Sequence, residues 1–185
     1  KGKAPMEFVL DNGSVRVALS TAGGSFTSIK ANGREYLWQG DSSVWSGQAP
    51  ICFPICGGLR DGRAMTMGGH EVNLARHGFA RKQEWKLEGQ GDNMVALSLS
   101  SADHAELLEQ YPYPFKIVAR YTVDAVKVTV SYEVTNEGTE DMRSLWAVTP
   151  ALSARSTRAS PTTIMSFDLS SVRRQSSAPP FPRRA

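Results

Sequence analysis

Apolar and polar residues alternate with period two over most of the chain, most clearly between positions 116 and 135. Ile117, Ala119, Tyr121 and Val123 alternate with Lys116, Arg120, Thr122 and Asp124. Val126, Val128, Val130, Tyr132 and Val134 then alternate with Lys127, Thr129, Ser131, Glu133 and Thr135. Successive side chains of a strand point to opposite faces, so each run predicts a half-buried strand. Only Asp124-Ala125 lies between them, which predicts one long hairpin. Shorter hairpins are expected upstream. Residues 7–10 and 14–19 flank Asp11-Asn12-Gly13, and residues 25–30 and 34–38 flank Ala31-Asn32-Gly33. Asn-Gly accepts positive φ cheaply and favours tight hairpin turns. Met65-Thr66-Met67 and residues 71–74 bracket Gly68-Gly69 in the same way, and Val95, Leu97 and Leu99 alternate with small residues as in a half-buried strand. One helical stretch is expected, 102–110, stopped by Pro112. The fold class is all-β and antiparallel.

The alternation ends near residue 143. From Arg143 onward there are nine serines, five prolines and seven arginines among scattered apolar residues. Such a segment buries too little apolar surface to offset its ordering entropy. Two parts are expected: 1–142, a folded β portion, and 143–185, a basic tail without stable structure. The charge divides in the same place. Seven arginines against Asp168 alone give the tail +6, so residues 1–142 carry −3 of the total of +3. A nucleic-acid or lipid-binding arm would interleave aromatics or a helical stripe with its arginines, and this tail has neither. Nucleic acid and membrane are therefore not expected partners.

The 41% hydrophobic and 21% charged content fits a soluble globular domain. No apolar run approaches the roughly 20 residues of a membrane-spanning helix, and no signal peptide is visible, so a cytoplasmic location is expected. Cys52 and Cys56 flank Phe53-Pro54-Ile55. Read as an extended strand, this spacing holds the two Cα atoms about 13 Å apart, beyond disulfide reach. Both are expected as buried free thiols, and no metal site is expected from them with His70 or His77.

The stretch 45–81 carries the candidate chemistry. It closes on His77-Gly78-Phe79-Ala80-Arg81, where an imidazole and a guanidinium stand four residues apart. Gly78 allows a sharp turn that aims both side chains one way, while Phe79 anchors the turn in the core. A neutral imidazole donates, accepts or shuttles a proton, and an Arg fork grips hydroxyls or phosphates. The plainer alternative is a surface loop with two unrelated polar residues. His70 and His104 read as solvated turn residues. Phe53 reads as core, and Trp38 and Trp45 suit either core packing or an aromatic wall facing a ligand.

The order of motifs is informative. Glu35-Tyr36-Leu37-Trp38-Gln39-Gly40-Asp41, then Trp45, Ala49-Pro50, Phe53-Pro54-Ile55, Gly58-Leu59 with Asp61-Gly62, and His77 to Arg81 are followed by Tyr111-Pro112-Tyr113-Pro114-Phe115 and Val134-Thr135-Asn136. This series, over about 8–142, resembles the aldose 1-epimerase (galactose mutarotase-like) family, especially its bacterial branch, which includes hexose-phosphate epimerases. The resemblance implies a large antiparallel β-sandwich, here incomplete, and an isomerase that interconverts α and β anomers of an aldohexose or hexose phosphate. Such chemistry needs a base for the C1 hydroxyl and an acid for the ring oxygen, with no metal or redox cofactor. Family members use a histidine as acid and a late glutamate as base, while the first histidine and an arginine hold hydroxyls. His77 is thus the candidate catalytic and substrate-binding residue, with Arg81, Arg60 and Trp38 as further sugar contacts. Where the family commonly has Gly-Arg-Leu, this chain has Gly57-Gly58-Leu59, with arginines only at Arg60 and Arg63.

The resemblance also implies a Gly-Gly-His-Pro motif after Asn136-Glu137-Gly138, carrying the acid histidine. It is absent in frame. Back-translating Trp146-Ala147-Val148-Thr149-Pro150-Ala151 and reading two bases later forces a glycine and permits Gly-Gly-His-Pro-Gly. The tail is therefore read as a shifted frame, and the chain as the first part of a mutarotase that is inactive alone. The apolar faces of 117–123 and 126–134 would then lack their covering strands, leaving exposed β edges for dimerisation. The competing readings are a non-catalytic carbohydrate-binding module of the same fold and a basic-tailed interaction protein.

Overall fold

The computed structural model describes residues 4–150 and the strand Thr163–Asp168. Asn12 closes the first hairpin, its Oδ1 accepting the N–H groups of Ser14 and Val15 at 3.1 and 2.9 Å. This joins β1 (Glu7–Asp11) to β2 (Val15–Ser20), with Asp11 opposite Arg16. β3 (Ser25–Ala31) extends the meander, but β4 (Arg34–Glu35) is shorter than the pattern predicts. Glu35 is the cause: its carboxylate accepts the N–H groups of Ile29 and Leu37 at 2.8 and 3.0 Å, replacing the strand ladder.

The remaining strands are β5 (Ile51–Cys52), β6 (Arg63–Met65), β7 (Glu71–Asn73), β8 (Lys86–Gly91), β9 (Met94–Ser100), β10 (Phe115–Asp124), β11 (Lys127–Asn136), β12 (Ala147–Val148) and β13 (Thr163–Asp168). They form a four-stranded sheet β1-β2-β3-β4, a five-stranded sheet β13-β11-β10-β9-β8 and the pairs β12-β5 and β6-β7. The long hairpin is β10–β11, in register Ile117 to Val134 and Tyr121 to Val130. Its turn is Ala125-Val126, one residue later than expected, because Asp124 pairs with Lys127. Val126, 38% exposed, thereby leaves the buried row.

β9 is buried on both faces rather than one. It lies between β8 and β10, and Glu88 of β8 meets Lys116 of β10 at 2.8 Å, spanning the face that carries Ser98 and Ser100. The helical stretch reduces to a single 3₁₀ segment, Ala105–Glu109. Ser100 Oγ bonds Asp103 Oδ2 at 3.1 Å and Lys86 pairs with the same carboxylate, which holds the preceding residues in a turn.

Both main sheets feed one core, which includes Leu10, Val17, Leu19, Phe26 and Ile29 from the first and Val95, Leu97, Ile117, Tyr121 and Val130 from the second. Phe26 meets the Tyr121 ring edge-on at 4.9 Å, and the Tyr121 hydroxyl donates to the Gly24 carbonyl. The expectation of uncovered apolar faces at 117–123 and 126–134 is thus corrected. Ile117, Ala119, Tyr121, Val123, Val128, Val130 and Tyr132 are all buried, because β1–β4 close over them. Burial of each large side chain contributes on the order of 1.5–3 kcal/mol, enough to favour this closure. The stretch 143–185, expected to lack structure, supplies β12 against β5 and β13 against β11. Its expected disorder otherwise falls on 151–162 and 169–185, outside the described residues. Among the described residues no helix is long and apolar enough to cross a membrane.

Candidate functional site

The site is built where two distant segments meet. β5 ends at Cys52, and the Phe53-Pro54 peptide is cis. Phe53 is fully buried, as expected of a core residue, with ring centroids 6.0 Å from Phe79 and Tyr111 and 4.9 Å from Phe115. Its carbonyl accepts the N–H groups of Phe79 and Ala80 at 2.9 and 3.3 Å. This approach requires glycine at 78, where φ is 68° and a Cβ would lie 2.0 Å from the Phe53 oxygen. The Trp85 indole then donates to the Ala80 carbonyl at 3.0 Å, pinning the far end of the turn.

His77 is held by a reciprocal pair of bonds. Its N–H donates to the Gly57 carbonyl at 2.6 Å, and the Gly57 N–H donates to Nδ1 at 3.0 Å. The Arg76 Nε–H also faces Nε2, at 3.3 Å. A neutral imidazole has one acceptor nitrogen, so the two contacts compete. The shorter main-chain bond makes Nδ1 the acceptor and leaves Nε2 carrying the proton. Partial burial, then Arg81 and Arg76, push the His77 pKa below its ordinary value, so the ring is a neutral donor near pH 7.

Arg81 donates from Nη2 to the Arg76 carbonyl at 2.9 Å, whereas its Nε is buried without a partner among the described residues. It lines a cavity of about 280 Å³ with Phe26, Thr27, Trp45, Ser46 and Gln48. A buried donor without a partner is an unmet hydrogen bond. The Arg81 charge reaches His77, but among the described residues the cavity is lined by Arg81 and not by His77. The structure does not bring the other two candidates to them. Arg60 is exposed in the 3₁₀ turn Arg60–Gly62 and makes no hydrogen bond or ion pair with His77 or Arg81 among the described residues. Trp38 is half-buried and spends its indole N–H on the Trp45 carbonyl at 2.8 Å; Trp45 is the tryptophan on the cavity wall. His70 faces Glu140 at 2.7 Å and His104 the Glu84 carbonyl at 2.9 Å. Sequence reasoning missed Thr27, Ser46 and Gln48. No motif marks them, although Gly47, against whose missing Cβ the Trp45 ring packs, gave a local hint.

The cysteine expectation is corrected. Cys52 is buried and Cys56 exposed, both as free thiols, and ligand atoms of Cys52, Cys56 and His77 lie within 4.8 Å of one another. The extended reading fails because β5 stops after two residues, where the Phe53 carbonyl turns to Phe79 and Ala80 instead of a strand partner. Burial pushes the Cys52 thiol pKa up, and the Cys56 thiol adds to it.

Comparison with known proteins agrees with this architecture. The family described as Aldose 1-epimerase matches residues 6–160. The chain is 41% identical over 140 residues to the plasmid form of protein LacX from Lactococcus lactis subsp. lactis, covering 73% of this chain and 46% of that protein. It is similar to the solved structure of a galactose mutarotase related enzyme from Lactobacillus acidophilus, with a TM-score of 0.68 and 27% identity over 73% of this chain and 45% of the other. A galactose mutarotase-like protein from Lactobacillus casei ATCC 334 shares the fold, with a TM-score of 0.69 and 24% identity over 74% and 46% of the two chains. The chain therefore spans about half the length of the curated relatives it matches. On that match over residues 6–160, more than half of its length, the chain belongs to the aldose 1-epimerase family.

Proposed function

We propose that the junction of 53–57 with 77–81 is part of the sugar site of an isomerase that interconverts the α and β anomers of a cytoplasmic aldohexose or hexose phosphate. The observation that supports this most directly is the pairing of two unspent donors. His77 Nε2 carries its proton once Gly57 occupies Nδ1, with Arg76 Nε 3.3 Å away, and Arg81 Nε is buried without a partner among the described residues in a side chain that lines the cavity walled by Trp45. Hydroxyls of a pyranose satisfy such donors, and its C–H face suits an indole. At about 280 Å³ the cavity is near the lower end of ligand-sized sites.

Ring opening needs an acid and a base on opposite sides of the sugar. Among the described residues, no carboxylate bonds His77 or Arg81, and His70 and His104 are committed elsewhere. We take the 185-residue chain to hold sugar without converting it quickly, and a longer, frame-corrected protein to catalyse mutarotation. The same observation keeps a binding-only protein as the second reading. Polarimetry on freshly dissolved glucose, galactose and glucose 6-phosphate, with tryptophan fluorescence for binding, separates them. The isomerase reading expects rapid mutarotation by the longer protein and little by this chain. A longer protein that binds sugar yet leaves mutarotation at the buffer rate would transfer the assignment to the binding module.

A further inference from the structure

The thiols of Cys52 and Cys56 converge with His77 on one side of the junction. We propose that these three side chains form a binding site for a thiophilic divalent cation of the Zn²⁺ class. Their ligand atoms lie within 4.8 Å of one another. A tetrahedral zinc takes sulfur at about 2.3 Å and nitrogen at about 2.0–2.1 Å, which sets ligand atoms roughly 3.5–3.8 Å apart. The group therefore has to contract by about 1 Å. The parts differ in how freely they contribute to that movement. Cys52 is fixed on β5, opposite Ala147 of β12, and the His77 main chain is fixed by its N–H bond to the Gly57 carbonyl; ligation takes the Nδ1 lone pair from the Gly57 N–H, so the ion displaces that second bond. Cys56 is exposed and precedes Gly57, whose φ is 105°, so its side chain swings inward without disturbing the core.

The donor set is also chemically coherent. Two sulfurs and one imidazole make a soft site that suits Zn²⁺ and excludes Mg²⁺ or Ca²⁺, which seek oxygen. Coordination converts each thiol to a thiolate and releases its proton to solvent, so two thiolates balance the charge of the ion. Arg76 and Arg81 stand close enough for their charges to reach His77, which makes neutralisation of the ion by thiolates necessary. Three protein ligands leave a fourth position for water. The other two histidines, both half-buried, do not match this. His70 and His104 each face one glutamate, an ordinary pair, and among the described residues neither belongs to a cluster of three such ligands.

The site does not depend on the sugar reading, although it draws on His77 and would remove that side chain from a sugar. The test is metal binding by the 185-residue chain, kept reduced with a phosphine. Co²⁺ is titrated first as a spectroscopic probe, followed by displacement with Zn²⁺. One Co²⁺ per chain with a thiolate-to-metal charge-transfer band, abolished by Zn²⁺, is expected. Loss of even an outer partner weakens metal affinity about 10–100-fold, so C56A and H77A should each lose at least that much. C56A is the clean variant because its side chain is exposed; circular dichroism checks that both variants fold. H70A should bind as the parent does. Zn²⁺ should also protect Cys56 from alkylation. Absence of the charge-transfer band, or a band that survives in C56A or in H77A at parental affinity, overturns the proposal.

Discussion

Gly78→Ala tests the junction on which the site rests. Two costs add at this position. An L-residue in the left-handed region costs roughly 1–2 kcal/mol, and Gly78 has φ of 68°. The new Cβ would also stand 2.0 Å from the Phe53 oxygen, 2.4 Å from its carbonyl carbon and 2.8 Å from Pro54 N, where real Cβ contacts stay beyond 3.0 Å. Relief requires the two backbones to part by about 1 Å, which stretches the 2.9 Å bond from Phe79 N–H to the Phe53 carbonyl out of hydrogen-bond range. That loss costs about 1 kcal/mol, and loosening the Phe53 ring cluster adds to it. The expected total is about 3–5 kcal/mol, among the larger single-site effects. Gly33→Ala is the control: its φ is 73°, but nothing lies within 4 Å of the added carbon. It should show the left-handed cost alone, about 1–2 kcal/mol. Urea unfolding followed by tryptophan fluorescence measures both. With a slope of about 1–3 kcal/mol per molar, the two midpoints should differ by at least about 0.7 M. Equal midpoints for the two variants refute the backbone-contact argument.

Three further outcomes are expected. Tyr121→Phe keeps the ring against Phe26 but leaves the Gly24 carbonyl without its donor; unfolding free energy should fall by about 1–3 kcal/mol, and an unchanged value would show that the hydroxyl is dispensable. Arg81→Ala should weaken sugar binding at least about tenfold, as loss of a charged hydrogen bond does, and undiminished affinity would remove Arg81 from the site. Lys116 holds the Glu88 pKa below its ordinary value, chiefly by their side-chain hydrogen bond. A depressed carboxylate stabilises the folded state above its unfolded pKa, near 4.3, and loses that contribution as pH falls through the lower folded value. Acid unfolding curves should therefore flatten below about pH 4.3 in Glu88→Gln relative to the parent; superimposable curves would count against the pairing.

What the sequence determined by itself is local. Period-two alternation and Asn-Gly turns are written in neighbouring residues, so β1–β2, β6–β7 and β10–β11 were legible within a residue or two. Gly78 next to Phe79 likewise announced a sharp turn with an aromatic anchor, and Arg81 stands close enough for its charge to reach His77. What only the tertiary structure decided depends on contacts far apart in the chain. Alternation shows that one face of β10 is apolar but not which sheet covers it; Phe26 and Gly24 on Tyr121 supply that answer. The cavity joins Thr27, Trp45 and Gln48 to Arg81 across the fold, so no spacing reveals it. The distance between Cys52 and Cys56 was misjudged for the same reason. A strand continues only while its backbone groups find ladder partners, and the Phe53 carbonyl finds its partners at Phe79 and Ala80. That non-local competition ends β5 at Cys52 and draws two thiols and an imidazole together.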